Sequence, residues 1–293
     1  MSAGVLFTNS LRLNLTTADI AIAAGDYAVI SQKIEGYNFQ RIAQRAFTAS
    51  FWVKATTAGV YSISFRNTGF DRSYVSNFTI SASNTWEYKT IAVLASPSAG
   101  TWNYTSGLGL YAAITLAAGS TFMTTAGAWQ TGNFFGTATN VNGVNTGATD
   151  FRITGMQIEA GSVATQFEMA TAADEVASCQ RYYWKSFPFA IAPVQNAGAA
   201  GALNYRTAVA GLVNHSRSMT LPVLMRVAPT IITYNTGAAN ANWRNVTLAL
   251  DSGAPNVSAV GGSDSQIEIA NPQVAGDLAG NYLAIHATAD AEL

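Results

Sequence analysis

The chain of 293 residues is long enough for two domains, and it is 49% hydrophobic but only 11% charged. Fifteen basic and sixteen acidic residues nearly cancel to a formal charge of −1, and no basic run is denser than Arg41 with Arg45, which argues against nucleic acid as a partner. A single cysteine, Cys179, excludes an intrachain disulfide; no apolar run reaches the ~18 residues of a membrane span; and the opening MSAGVLFTNSLRL lacks the regions of a signal peptide.

From the start, Val5–Phe7, Ile20–Ile22 and Tyr27–Ile30 are short apolar runs among turn residues such as Gly25, Asp26 and Gly36, and they predict short strands. Ala46–Lys54 alternates, with Phe47, Ala49, Phe51 and Val53 on one side and Thr48, Ser50, Trp52 and Lys54 on the other. An aromatic on each face suits a sandwich whose outer face also meets a neighbour or a ligand. Val60–Arg66 follows with Tyr61, Ile63 and Phe65 on one face, then a turn at Asn67-Thr68-Gly69, then strands at Tyr74–Ala82, Trp86–Leu94, Leu108–Leu116 and Phe151–Ile158. Gly155 reads as a bulge or close-contact point in the last. Pro97–Gly100 is a loop, and Gly119–Gly147, with Phe122, Trp129, Phe134 and Phe135 embedded, reads as a structured functional loop. Eight or so short strands with Gly, Pro, Asn and Ser turns are what a jelly-roll sandwich requires; no repeat of 20–50 residues supports a β-helix.

After Gly161 the alternation stops. Thr171 and Asp174 mark a helix start, and Val176, Cys179 and Tyr183 recur at helical spacing, predicting a connecting helix over about 171–186. Cys179 on its apolar face reads as a buried small hydrophobe. The expected division is a jelly-roll domain over 1–170, this helix, and a C-terminal antiparallel β-sandwich over 187–293. Strands in the latter are predicted at Gly201–Ala208, Ser218–Pro222, Thr230–Tyr234, Val246–Leu250, Ser265–Ala270 and Tyr282–Ala287, with Ala197–Gly201 a loop of close chain approach. The fold class is all-β.

His215 and His286 stand 71 positions apart without a second ligand at metal spacing, so no metal site is expected. No nucleophile elbow or phosphate loop occurs; Asp71, Glu87, Asp150 and Glu159 are too scattered to nominate as a glycosidase pair. An enzyme is not expected, nor a cofactor. Sugar recognition needs flat aromatic faces together with planar amides and guanidinium groups. Trp102, Asn103 and Tyr104, with Trp129, Gln130 and Asn133, supply both in Gly-flanked loops, and Arg66, Asn67, Asp71 and Arg72 could add polar contacts. The alternative is that these aromatics plug the sandwich ends or pack between subunits.

ITGMQIEAGSVATQFE, followed by a helix ending CQRYY, resembles bacteriophage tail-fibre and virion structural proteins that carry a jelly-roll, carbohydrate-binding-like module. Further matches are Gly25-Asp26-Tyr27, Ile34–Asn38, Phe51–Lys54, Arg66-Asn67, Trp86-Glu87, GTWNYTSG and AWQTGNFFGT, in order over about residues 11–186. Pro222, Met225-Arg226, Ala228-Pro229-Thr230 and the final HATADAEL resemble the distal segment of such proteins more loosely. The resemblance implies a virion component assembled in host cytoplasm and used in host attachment. Its partners would be itself, as a homotrimer meeting through Val176, Cys179 and Tyr183, other virion proteins, and a host-surface polysaccharide or receptor. The rival readings are a structural decoration or assembly subunit and, further off, a polysaccharide-degrading enzyme. Such proteins often carry an anchoring segment ahead of the module; this chain begins almost at it, which leaves two readings, a piece of a longer fibre or a small separate subunit docking on another virion protein.

Overall fold

A computed structural model describes residues 7–207, 215–253, 256–259, 263–271 and 278–293. The chain divides into two compact units, Met1–Met169 and Ala170–Leu293.

The first unit is a sandwich of two antiparallel sheets. Its strands are β1 (Leu11–Asn14), β2 (Tyr27–Glu35), β3 (Phe47–Ala55), β4 (Gly59–Asn67), β5 (Arg72–Ile80), β6 (Glu87–Val93), β7 (Leu108–Ala118), β8 (Trp129–Thr131) and β9 (Asp150–Ala160), with a four-residue helix α1 (Gly36–Phe39). Sheet A has the order β1-β9-β3-β6 and sheet B the order β2-β7-β4-β5-β8. Setting β8 aside, the first strand pairs with the last, the second with the second-last, and so inward to the β4–β5 hairpin. That nesting is one long hairpin rolled into two sheets, the jelly-roll order.

Alternation drives the packing. Phe47, Ala49, Phe51, Val53 and Ala55 of β3 are wholly buried and meet Tyr61, Ile63 and Phe65 of β4 across the core. Phe47 meets Phe65 edge-on at 5.1 Å, and Phe51 meets Phe78 at 5.2 Å. Gly155 fulfils the expected bulge: Ser50 pairs with Gln157 but Trp52 with Thr154, which leaves one extra residue in β9, and Gly155 takes φ +59°. Ile20–Ile22, expected as a strand, is irregular; the Asp19 carboxylate accepts from the Ala21 amide and favours a turn there. Val5 and Leu6 lie outside the described residues.

The second unit contains helix α2 (Ala172–Gln180) and strands β10 (Tyr183–Lys185), β11 (Leu203–Arg206), β12 (His215–Thr220), β13 (Thr230–Asn235), β14 (Trp243–Asn245), β15 (Leu250–Gly253), β16 (Asn256–Ala259), β17 (Gln266–Asn271) and β18 (Tyr282–Asp290). β18 pairs with β10, β11, β13 and β14, while β12, β17 and β16 form a second antiparallel sheet. Leu283, Ile285, Ala287 and Ala289 of β18 share a core with Ile267 and Ile269 of β17. The opposite face of β18 is buried too. His286 is stacked on Phe187 at 3.9 Å, with Nδ1 2.9 Å from Ser186 Oγ and Nε2 3.0 Å from the Gly198 carbonyl. Since that carbonyl only accepts, Nε2 carries the proton and Nδ1 accepts from Ser186. Burial holds this histidine below its ordinary pKa.

Three expectations are corrected here. The helix ends at Gln180, so Tyr183 lies on strand β10, paired with Asp290, rather than on a helical face. Tyr183 and Trp184 favour pleated backbone, and pairing with β18 outweighs one more helical turn. Cys179 is exposed, and no residue of α2 is buried. Of the predicted strand Val246–Leu250, only Leu250 is strand, opening β15; residues 246–249 are a turn between β14 and β15, closed by Asn245 Oδ1 accepting from the Leu248 amide at 3.0 Å. Ala208 lies outside the described residues.

Candidate functional site

The sequence-predicted residues fall into three local arrangements in the first unit. Trp102 and Tyr104 both stack with Phe39 of α1, at 5.2 and 5.9 Å, and Trp129 of β8 meets Trp102 edge-on at 5.6 Å. Each indole N–H is spent on backbone: Trp102 Nε1 donates to the Ala99 carbonyl and Trp129 Nε1 to that of Leu94. All three rings pack against the core. Asn103 Oδ1 accepts from the Thr105 amide and hydroxyl, and Gln130 donates to Thr125. This arrangement has the geometry of a plug.

The second arrangement closes the β4–β5 turn. Asn67 Oδ1 accepts from the amides of Asp71 and Arg72 at 3.0 Å, and Asn67 Nδ2 donates to Asp71 and to the Thr101 carbonyl. The hydrogen bond from Asn67, aided by Thr101, holds the Asp71 carboxyl below its usual range.

The third surrounds Arg66, which points out of sheet B yet is almost fully buried. Its guanidinium lies 3.8 Å from the Phe135 ring centroid, 4.2 Å from that of Tyr111 and 4.7 Å from that of Phe70, and it donates to Asn133 Oδ1. Burial lowers its pKa to about 10, and no carboxylate among the described residues pairs with it. The cover is the Gly119–Gly147 segment. Ser73 Oγ donates to the Gly132 carbonyl, Thr115 Oγ1 to that of Phe135, and Ser62 Oγ to Asn140, so the loop lies along the outer face of sheet B.

The outer face of sheet A is different. Trp52 is half-buried, its register partner Tyr88 is exposed, and their rings lie 5.4 Å apart. Facing them across a cleft of about 410 Å³ stand Phe7 and Phe167, edge-to-face at 4.9 Å, with Ser50, Gly155 and Gln166 also on the lining. Among the described residues the Trp52 indole N–H, the Tyr88 and Ser50 hydroxyls and the Gln166 amide have no hydrogen-bond partner, unlike the two plug tryptophans. The loop carrying Gln166 and Phe167 is clamped by β9. Glu159 accepts from the Thr165 amide at 2.9 Å and its hydroxyl at 2.6 Å, and Gln157 accepts from the Glu168 amide at 2.9 Å. The Thr165 hydroxyl and amide, with Gln157, hold the Glu159 carboxyl below its ordinary pKa.

Sequence reasoning marked Trp52 as outward-facing but not Tyr88, Phe7 or Phe167, because the cleft needs three distant segments brought together. The available signal was the Gln157–Glu168 stretch, where the clamp residues recur two and six positions apart. A second cleft of about 460 Å³, between the edges of β1 and β2, is lined chiefly by aliphatic groups such as Ile30, Ile114 and Met156. It offers no ring face to a sugar.

No protein-family model and no curated protein matches the chain. Among solved structures, that described as the crystal structure of PBSX exported protein XepA aligns with 95% of this chain and 86% of its own at 9% identity, with a TM-score of 0.21.

Proposed function

We propose that this protein is a phage virion component, a tail-fibre or receptor-binding protein, that binds host-surface glycan at the Trp52–Tyr88 cleft. The sequence resemblance supports the virion role. The observation that carries the site is the exposed aromatic pair with uncommitted hydroxyl and amide groups beside it, the two chemistries a pyranose ring requires. The plug residues Trp102 and Trp129 serve the fold. No catalytic pair is part of this reading, since Asp71, Glu87, Asp150 and Glu159 are each held by their own neighbours. Copies associate as a homotrimer through the exposed α2 face bearing Val176 and Cys179, so that several weak sites act together.

The test is retention of host cells, or of their purified polysaccharide, by the native protein and two variants. Trp52→Ala and Tyr88→Ala should lose binding with unchanged thermal unfolding. If both variants bind like the parent, the cleft is not the site; if the parent binds nothing, a purely structural role replaces the attachment role.

A further inference from the structure

We infer that the Trp52 cleft selects N-acetylated hexosamines over plain hexoses, an inference that rests on the glycan reading above. Among the described residues no charged side chain lines the cleft. Arg152 is engaged with Asp150 at 2.8 Å, and Lys54 lies over Trp86. The ligand is therefore neutral, without the carboxylate of an acidic sugar.

The two walls differ in kind. On one side Trp52 and Tyr88 offer ring faces beside a hydroxyl and an indole N–H. On the other, Phe7 and Phe167 meet nearly at right angles, 85°, above the bare α-carbon of Gly155, and form an apolar corner. The Phe7 ring sits so close that a β-carbon on Gly155 would stand 2.5 Å from it. A sugar hydroxyl placed in that corner gives up water and gains no partner, whereas a methyl group loses nothing. At its rim the Gln166 carboxamide can both donate to and accept from another amide. A pyranose face, a planar amide and a terminal methyl within one neutral ligand describe an acetamido sugar.

Isothermal titration of the intact protein with chitotriose and with cellotriose, which carries a hydroxyl where chitotriose carries acetamide, tests this. The parent should bind chitotriose about tenfold tighter or more. Gln166→Ala, an exposed change that leaves the fold alone, should bring the two affinities within about threefold, and Phe167→Ala should do the same. Equal binding by the parent overturns the selectivity but leaves the glycan site standing. So does failure of both trisaccharides when host polysaccharide still binds through Trp52. Failure of host polysaccharide as well overturns both.

Discussion

Gly155 and His286 each show one residue deciding the state of a whole region. Gly155 lies at φ +59° with the Phe7 ring against its α-carbon, so a side chain meets backbone strain and a steric clash together. Gly155→Ala should cost about 1–2 kcal/mol, seen as a lower melting temperature, and should displace Phe7 and weaken glycan binding. In the second unit, the neutral His286 is favoured by burial. Unfolded histidine protonates near pH 6.5, while the buried one resists protonation until lower pH. Protons therefore favour the unfolded chain, and this stabilisation, complete above about pH 6.5, is lost as pH falls towards the folded value. Thermal unfolding between pH 7.5 and 5.5 should show a falling melting temperature, and His286→Gln should flatten that slope; equal slopes in the two proteins would refute the assignment. Glu159 works the same way at lower pH. Its depressed carboxyl pKa means the Thr165 clamp is intact above the ordinary glutamate range and is lost as pH falls through the folded value.

At the scale of elements, the Gly119–Gly147 loop is held over sheet B by hydrogen bonds from Ser62, Ser73 and Thr115 and by packing around the Arg66 side chain, rather than by an ion pair. A guanidinium without a counter-ion carries a large desolvation cost that ring contacts and one amide only partly offset. Arg66→Met should therefore be close to neutral in urea unfolding, whereas Arg66→Ala should cost about 2–4 kcal/mol through the void left among Phe70, Tyr111 and Phe135. A Met variant as damaged as Ala would show that the charge itself holds the loop. The strands of the first unit were legible because β3 and β4 alternate cleanly, with apolar side chains at every second position from Phe47 to Ala55 and from Tyr61 to Phe65. The helix end was not legible, because the helical spacing of Val176, Cys179 and Tyr183 says nothing of the free edge that β18 offers to Tyr183–Lys185. Likewise the flagged Trp102 and Trp129 are attractive as ligand platforms only until Phe39, an unremarked residue on a four-residue helix, is placed beside Trp102. Local pattern gives the face of a strand; what covers that face is a long-range matter.

For the whole molecule, the proposed function requires copies of the chain to associate so that weak sites act together. Light scattering at micromolar concentration should give a mass three times the 30.8 kDa of the chain, and Val176→Glu on the exposed α2 face should return it to the single-chain value. A parent of single-chain mass would remove the trimer and, with it, the avidity. The cleft remains the central claim, and the chain's six tryptophans report on it separately. Two-dimensional ¹H–¹⁵N spectra of their indole N–H groups, recorded while host polysaccharide is added, give the most direct reading. The Trp52 resonance should move on titration while those of Trp102, Trp129 and the buried Trp243 stay in place; movement of Trp102 or Trp129 with Trp52 unchanged would contradict the account.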